Sequence, residues 1–161
     1  MNMLNGKNWV SGSGKTKKFV EILEQVTKHS KKNKKVFIGS DSFVSRSNVC
    51  FVTAVCLLSK KHGNRYFFYK DRVPVKYYNI LSTRITEEVR RSIELAETFI
   101  DQSKMSADMI ELHLDVSPFA AKEGTSRFSE MLKGYVQGYG FSCKLKPNAW
   151  ASQSVADRHS K

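Results

Sequence analysis

The hydrophobic positions of the chain change period several times, and each change marks an element. Phe19, Ile22, Leu23 and Val26 recur at helical spacing and predict an amphipathic helix over 16–29. A basic connector with Lys28, Lys31, Lys32, Lys34 and Lys35 follows, completing a helix-and-connector segment over 16–33 and just beyond. Val36-Phe37-Ile38-Gly39-Ser40-Asp41-Ser42 is an apolar run that ends in a small turn bearing a carboxylate, and it predicts a strand over 35–41. Residues 49–58 are apolar at nearly every position, as in a strand covered on both faces. Gly63-Asn64 supplies a tolerant turn before a third strand over 65–73, which Pro74 ends. These three strands read as an antiparallel meander.

The longest helical pattern covers 79–104, with a stripe of Ile85, Val89, Ile93, Ala96, Phe99 and Ile100. On a wheel of about 100° per residue, Glu87 and Glu94 point into solvent and Glu97 lies well off the stripe. Glu88 alone borders the stripe, so it is the one acid of this helix placed to reach the sheet. Glu87 and Arg91 are spaced as an i,i+4 pair. A fourth strand over 109–116 alternates apolar and polar residues and carries Asp115 at its C-terminal end. Beyond a loop with Pro118 and Gly124, the residues Phe128, Met131, Leu132, Tyr135 and Val136 form the buried stripe of another helix, stopped by Gly138 and Gly140. A fifth strand over 141–145 ends at Lys146-Pro147. The tail, 149–161, is helical in propensity, with a stripe too weak to orient Asp157. Residues 1–15 are polar and glycine-rich and read as loose.

This order predicts one α/β domain over 1–161: a mixed five-stranded sheet, made of the meander plus two parallel strands, flanked by helices and extended by the N-terminal helix. A right-handed crossover sets the fourth strand parallel to the first and beside it. Asp41 and Asp115 then fall at neighbouring strand ends, where open α/β sheets bind ligands.

Charge changes the picture more than composition does. Lysine and arginine total 27 against 15 acids, a formal net charge of +12, which favours a polyanionic partner such as DNA or RNA. Three cysteines with no CxxC pair argue against a disulfide framework and a structural zinc site. No segment has the length of a signal-peptide core or a membrane span, which points to a cytoplasmic protein with no membrane partner. Ser11-Gly12-Ser13-Gly14-Lys15-Thr16 has the look of a phosphate loop, but Trp9 stands where its first glycine belongs and no strand precedes it. A nucleoside triphosphate is therefore not expected.

Four carboxylates remain as candidate chemistry: Asp41 at a strand end, Glu88 on the crossover helix, Asp115 at the neighbouring strand end and Asp157 on the last helix. Such a set cannot ionise together without divalent cations, and oxygen-only ligands suit magnesium or manganese. Two such ions roughly 4 Å apart form a clamp for in-line displacement at phosphorus. Each acid also has a plainer reading. Asp41 and Asp115 would cap turns, Glu88 would pair with Arg84, and Asp157 would be a surface acid beside Arg158. Ser42 and His113 are auxiliary candidates. Lys34, Lys35, Lys146 and Arg158 are candidates for holding phosphates, and Trp150 for stacking on a base or, equally, for anchoring the last helix.

The blocks Ile38-Gly39-Ser40-Asp41-Ser42, Glu88 with Ser92-Ile93-Glu94-Leu95-Ala96, His113-Leu114-Asp115, and Lys146-Pro147 through Ala151-Ser152 to Val155-Ala156-Asp157 resemble the YkuK-type family of RNase H-like proteins, within the ribonuclease H-like superfamily. The resemblance implies an RNase H-like fold and metal-dependent phosphodiester hydrolysis, carried by Asp41, Glu88, Asp115 and Asp157 with two magnesium or manganese ions. The alternative is a nucleic-acid-binding module that keeps the fold and is catalytically weak or silent. Four converging acids favour the enzyme, because they repel phosphate unless cations sit among them.

Overall fold

Strand pairing in the computed structural model, which describes residues 3–116 and 129–161, begins earlier than the periodicity predicts. A short helical turn, Met3–Gly6, leads into β1 (Trp9–Ser11), which pairs with β2 (Thr16–Lys17) and with the third strand of the predicted meander. The segment expected to be loose is thus part of the sheet. Leu4 and Trp9 are fully buried, and the Trp9 indole N–H donates to the Leu4 carbonyl oxygen at 3.0 Å. Trp9 packs edge-on against Tyr69 and beside Phe19. Lys7 is fixed by Asp71 at 2.7 Å, and Asp71 in turn by the buried Arg91. A few large side chains order this segment, where no sequence period exists to announce it.

Helix α1 (Phe19–Lys31) buries Phe19, Ile22 and Val26 as the stripe predicts, and its last turn takes in Lys28 and Lys31 of the basic connector. Strands β3 (Val36–Ser45), β4 (Asn48–Leu57) and β5 (Arg65–Pro74) form the antiparallel meander in continuous register, with Asp41 opposite Val52 and Val52 opposite Lys70. Helix α2 (Leu81–Ser103) crosses over to β6 (Ile110–His113), which lies parallel to β3 and pairs Gly39 with His113. Helix α3 (Ser129–Gly138) leads to β7 (Ser142–Lys144), parallel to β6. The sheet has seven strands rather than the predicted five, in the order β2-β1-β5-β4-β3-β6-β7. The two additional strands are the N-terminal pair. In α3, Leu132 and Val136 are buried, but Met131, expected in the same stripe, is 57% exposed. Phe128, Pro118 and Gly124 lie outside the described residues. Among the described residues, no helix is long and apolar enough to cross a membrane.

The chain closes with a π-helical segment, Ala151–Ala156, that runs directly into α4 (Asp157–Ser160). This final helix lies against β3 and β4, opposite the face that carries α2: Phe37 meets Trp150, and Ala156 packs with Val52 and Ala54. Its backbone passes over Gly39. A Cβ on Gly39 would lie 2.5 Å from the Ser152 nitrogen and 2.6 Å from the Ala151 carbonyl carbon, contacts that no side-chain rotation relieves.

Two stability changes follow. Trp9→Ala should cost about 3–5 kcal/mol in denaturant unfolding, as a large residue deleted from a core; a loss below about 1 kcal/mol would mean that the N-terminal strands do not belong to the cooperative unit. Gly39→Ala should cost about 1–3 kcal/mol through overpacking against fixed backbone, and an unchanged midpoint would contradict the close approach of the final helix.

Candidate active site

Strand alternation determines what each face of β3 offers. Gly39 and Asp41 share the face of the final helix, while Ser40 and Ser42 face α2. On the α2 side, Ser40 Oγ lies 2.8 Å from Ser92 Oγ and donates to Thr53 at 3.1 Å, and Ser42 Oγ donates to Glu88 Oε2 at 2.6 Å. Glu88 is therefore turned toward the sheet, as its position on the wheel predicts, and is 7% exposed. The predicted Glu87–Arg91 pair also forms, at 2.9 Å. Glu87 is half-buried by its bonds to Arg90 and Arg91 rather than freely solvated.

On the other face, Asp41 is 7% exposed and lies against the side chain of Asp157, close enough for that carboxyl to raise its pKa. Asp115 completes the group. It lies two residues past His113, which pairs with Gly39 on the adjacent parallel strand, as Asp41 lies two residues past Gly39. Burial first, then the charge of Asp115, then the Asp157 carboxyl push the Asp41 carboxyl up to about 8, against the opposing Ser42 N–H, which donates to its Oδ1 at 2.9 Å. Burial and the charges of Asp41 and Asp115 hold Glu88 well above the usual carboxylate range, although Ser42 and Arg84 act the other way. Four acids from β3, α2, the end of β6 and α4 thus feel one another.

Two of them already have cationic neighbours: Lys146 Nζ lies 3.1 Å from Asp115 Oδ1, and Lys161 Nζ lies 3.4 Å from Asp157 Oδ1. Among the described residues, no three His, Cys, Asp or Glu side chains stand in an arrangement that holds a metal ion as it is. The donor set nevertheless suits a hard divalent cation. It is all oxygen, and burial with mutual charge raises the pKa of its two most buried members, an effect that a cation among them would oppose.

The remaining candidates divide. His113 is buried with both ring nitrogens engaged: Nδ1 accepts the Ala151 N–H at 3.0 Å, so Nε2 carries the proton and donates to Glu111 at 3.0 Å. Burial lowers its pKa and keeps it neutral. It ties β6 to the final helix rather than offering a lone pair to a metal. Trp150 packs between Phe37 and His113, with ring centroids 5.1 Å and 5.0 Å away, so it anchors that helix and is not presented for stacking on a base. Lys34 and Lys35 precede β3 at its other end, roughly 20 Å from Asp41 along the strand. Lys34 donates to Ser59 there at 3.3 Å, so neither borders the acids. Lys146 and the exposed Arg158 do lie beside them. Sequence reasoning passed over Gly39 as part of the site. Its signal is a glycine inside a buried strand two residues before the acid, the mark of a close backbone approach.

The raised pKa of Asp41 gives a pH dependence with a definite sign. The folded state holds this proton more tightly than the unfolded chain, so its stabilising effect is complete below about pH 4 and is lost as pH rises toward 8. In chelator, the native protein should lose at most about 1.4 kcal/mol per pH unit across that window from this group. Asp41→Asn should flatten the profile and be the more stable protein at pH 8. Parallel profiles for the two proteins would show that Asp41 is ionised throughout.

No curated protein matches the chain. The family model described as Ribonuclease H-like matches residues 17–161, nearly the whole chain, from β2 through the sheet and α2 to the helix that carries Asp157. The chain belongs to the Ribonuclease H-like family.

Proposed function

We propose that the chain is a divalent-cation-dependent nuclease that hydrolyses phosphodiester bonds of a nucleic acid, with Asp41, Glu88, Asp115 and Asp157 as its catalytic carboxylates and metal ligands. The observation that carries this reading is the carboxyl–carboxyl contact of Asp41 and Asp157, two residues 116 positions apart, with Glu88 and Asp115 beside them. Folding these acids together is costly and, without cations, hostile to a phosphate backbone. A protein that only bound nucleic acid would have no use for it. The family and the net charge of +12 support a nucleic-acid partner.

Two magnesium or manganese ions bound among these acids would activate a water for in-line attack and neutralise charge on the leaving oxygen. The chain's own residues supply the frame. Asp41 is the acid to which Glu88 and Asp157 both couple, so it takes the central place among the ligands. Ser42 positions Glu88 through its hydroxyl. Lys146, beside Asp115, is placed to pass its charge to a phosphate oxygen, and Arg158 to hold the backbone next to Asp157. The ion pairs of Lys146 with Asp115 and Lys161 with Asp157 favour a second reading, in which lysines stand in for lost cations and the domain binds without cutting.

Labelled single strands, duplexes, RNA–DNA hybrids and junctions, incubated with magnesium, manganese or chelator, separate the two. Cutting should require the metal, and Asp41→Asn should lower it by about 10²-fold or more while the variant still folds and binds. Salt-dependent binding with no cutting under either metal, and no difference for Asp41→Asn, would establish the binding module instead.

A further inference from the structure

The hairpin formed by β1 and β2 lies almost wholly ahead of the family match, and it walls a cavity of about 490 Å³. Ser11, Ser13, Lys15 and Lys17 line it from the hairpin, Gln25 from α1 and Arg65 from the start of β5. Among the described residues, no acidic side chain lines it. The groove of about 680 Å³ along α2 is the opposite case: Glu94, Glu97 and Asp101 line it and repel a polyanion.

The hairpin turn does not work as a backbone phosphate cradle, because its amides are consumed within the fold. Ser11 N–H donates to the Lys15 carbonyl oxygen at 2.8 Å, Gly12 N–H to Tyr66 at 2.9 Å and Gly14 N–H to Ser11 at 2.9 Å, while Lys15 N–H donates to Ser11 Oγ at 3.1 Å. What the cavity offers is side-chain charge. Lys15 is exposed and has no ion-pair partner among the described residues. Lys17 has only a 3.9 Å surface pair with Glu21, a weak contact. Arg65 donates from Nη1 to Gln25 at 2.6 Å, but its Nε–H is buried with no acceptor among the described residues. The Arg65 guanidinium adds positive charge to the cavity wall.

The cavity is also joined to the acid site. Tyr66 forms part of its wall and holds His159 Nε2 at 2.8 Å, two residues after Asp157. A Cβ on Gly12 would meet the Tyr66 ring at 2.6 Å, so the hairpin is seated directly on this wall. Lys70 is exposed on β5, level with Asp41 through Val52, and lies near His159. Counting two strand spacings across the sheet and three to five residues along β5, the cavity stands roughly 15–20 Å from Asp41.

We propose that this cavity is a second phosphate-binding site, which holds the backbone of a nucleic-acid strand about five nucleotides from the strand's contact with Asp41, at 3.4 Å per nucleotide of duplex. The proposal rests on the nucleic-acid partner argued above, not on cutting. Its test is equilibrium binding of labelled 20-nucleotide single strands and duplexes in chelator, across a salt series. Lys15→Gln/Lys17→Gln should keep the native melting temperature, weaken binding about tenfold and reduce the slope of log K against log salt by about 1–2. Lys104→Gln, an exposed lysine at the end of α2, should leave both unchanged. Equal affinity and slope for the double variant and the native protein would overturn this site and leave the proposed function standing. No strand binding by the native protein, either in chelator or with magnesium, would remove the partner and with it both readings. Inorganic phosphate that shifts the hairpin amide resonances while the double variant binds strands normally would mark a small-anion site and overturn the strand assignment.

Discussion

The close approach of the final helix to β3 at Gly39 is the contact on which the acid site depends. A helix cannot lie on a strand at backbone distance unless the residue beneath it lacks a side chain, and Gly39 is that residue. Two positions on, the same face carries Asp41, and the descending helix brings Asp157 onto it. The contact is held from both sides: His113 accepts the Ala151 N–H, and Trp150 fills the space between Phe37 and His113. Helix position, and therefore the fourth carboxyl, is fixed by packing and hydrogen bonds that are themselves uncharged. This matters, because the carboxyls would otherwise push the helix away.

Around this contact the fold spends stability on one small region. Asp41 and Glu88 are buried with raised pKa values, opposed by Ser42, whose N–H serves Asp41 and whose hydroxyl serves Glu88. The neighbouring polar contacts are fully satisfied by contrast: Ser40 is engaged by both Ser92 and Thr53. Buried carboxyls that raise one another's pKa while the hydroxyls beside them are paired are the pattern of a functional site rather than of a poorly packed one.

Much of this was legible in the sequence, and the misses have identifiable causes. The meander, the parallel β3–β6 pair and the inward turn of Glu88 follow from period and handedness alone, since a ten-residue run or a 23-residue helix carries its phase clearly. The N-terminal strands have three and two residues, too short for any period, and their order comes from Leu4, Trp9 and Lys7 reaching distant partners. Asp157 could not be oriented because its stripe is weak, and the structure adds that Ala151–Ala156 is π-helical. Its i→i+5 bonding changes the angular step on which a wheel relies. Lys34 and Lys35 looked close to Asp41 by sequence, yet a strand carries its two ends apart, so nearness along the chain became distance across the sheet. Met131 met the α3 stripe by spacing and still faces solvent, since the width of a stripe is set by what covers it.

The overall charge and the local charge of this protein oppose each other, and the opposition separates two dependences that a simpler site would merge. A net charge of +12 draws a polyanion to the molecule from a distance and weakens with salt. The carboxyl cluster acts within a few ångströms, in a buried setting where salt screens little, and it answers to pH and to divalent cations instead. Attraction of the strand and tolerance of its phosphate at Asp41 are therefore distinct requirements, met by different residues. On the proposed function, lysines on the hairpin and along β5 serve the first and leave the carboxyl cluster unchanged. Only a cation among the acids serves the second, and it does so without strengthening the long-range field by more than its own charge. Where these two requirements meet is Lys146, close enough to Asp115 to belong to the cluster and cationic enough to belong to the strand.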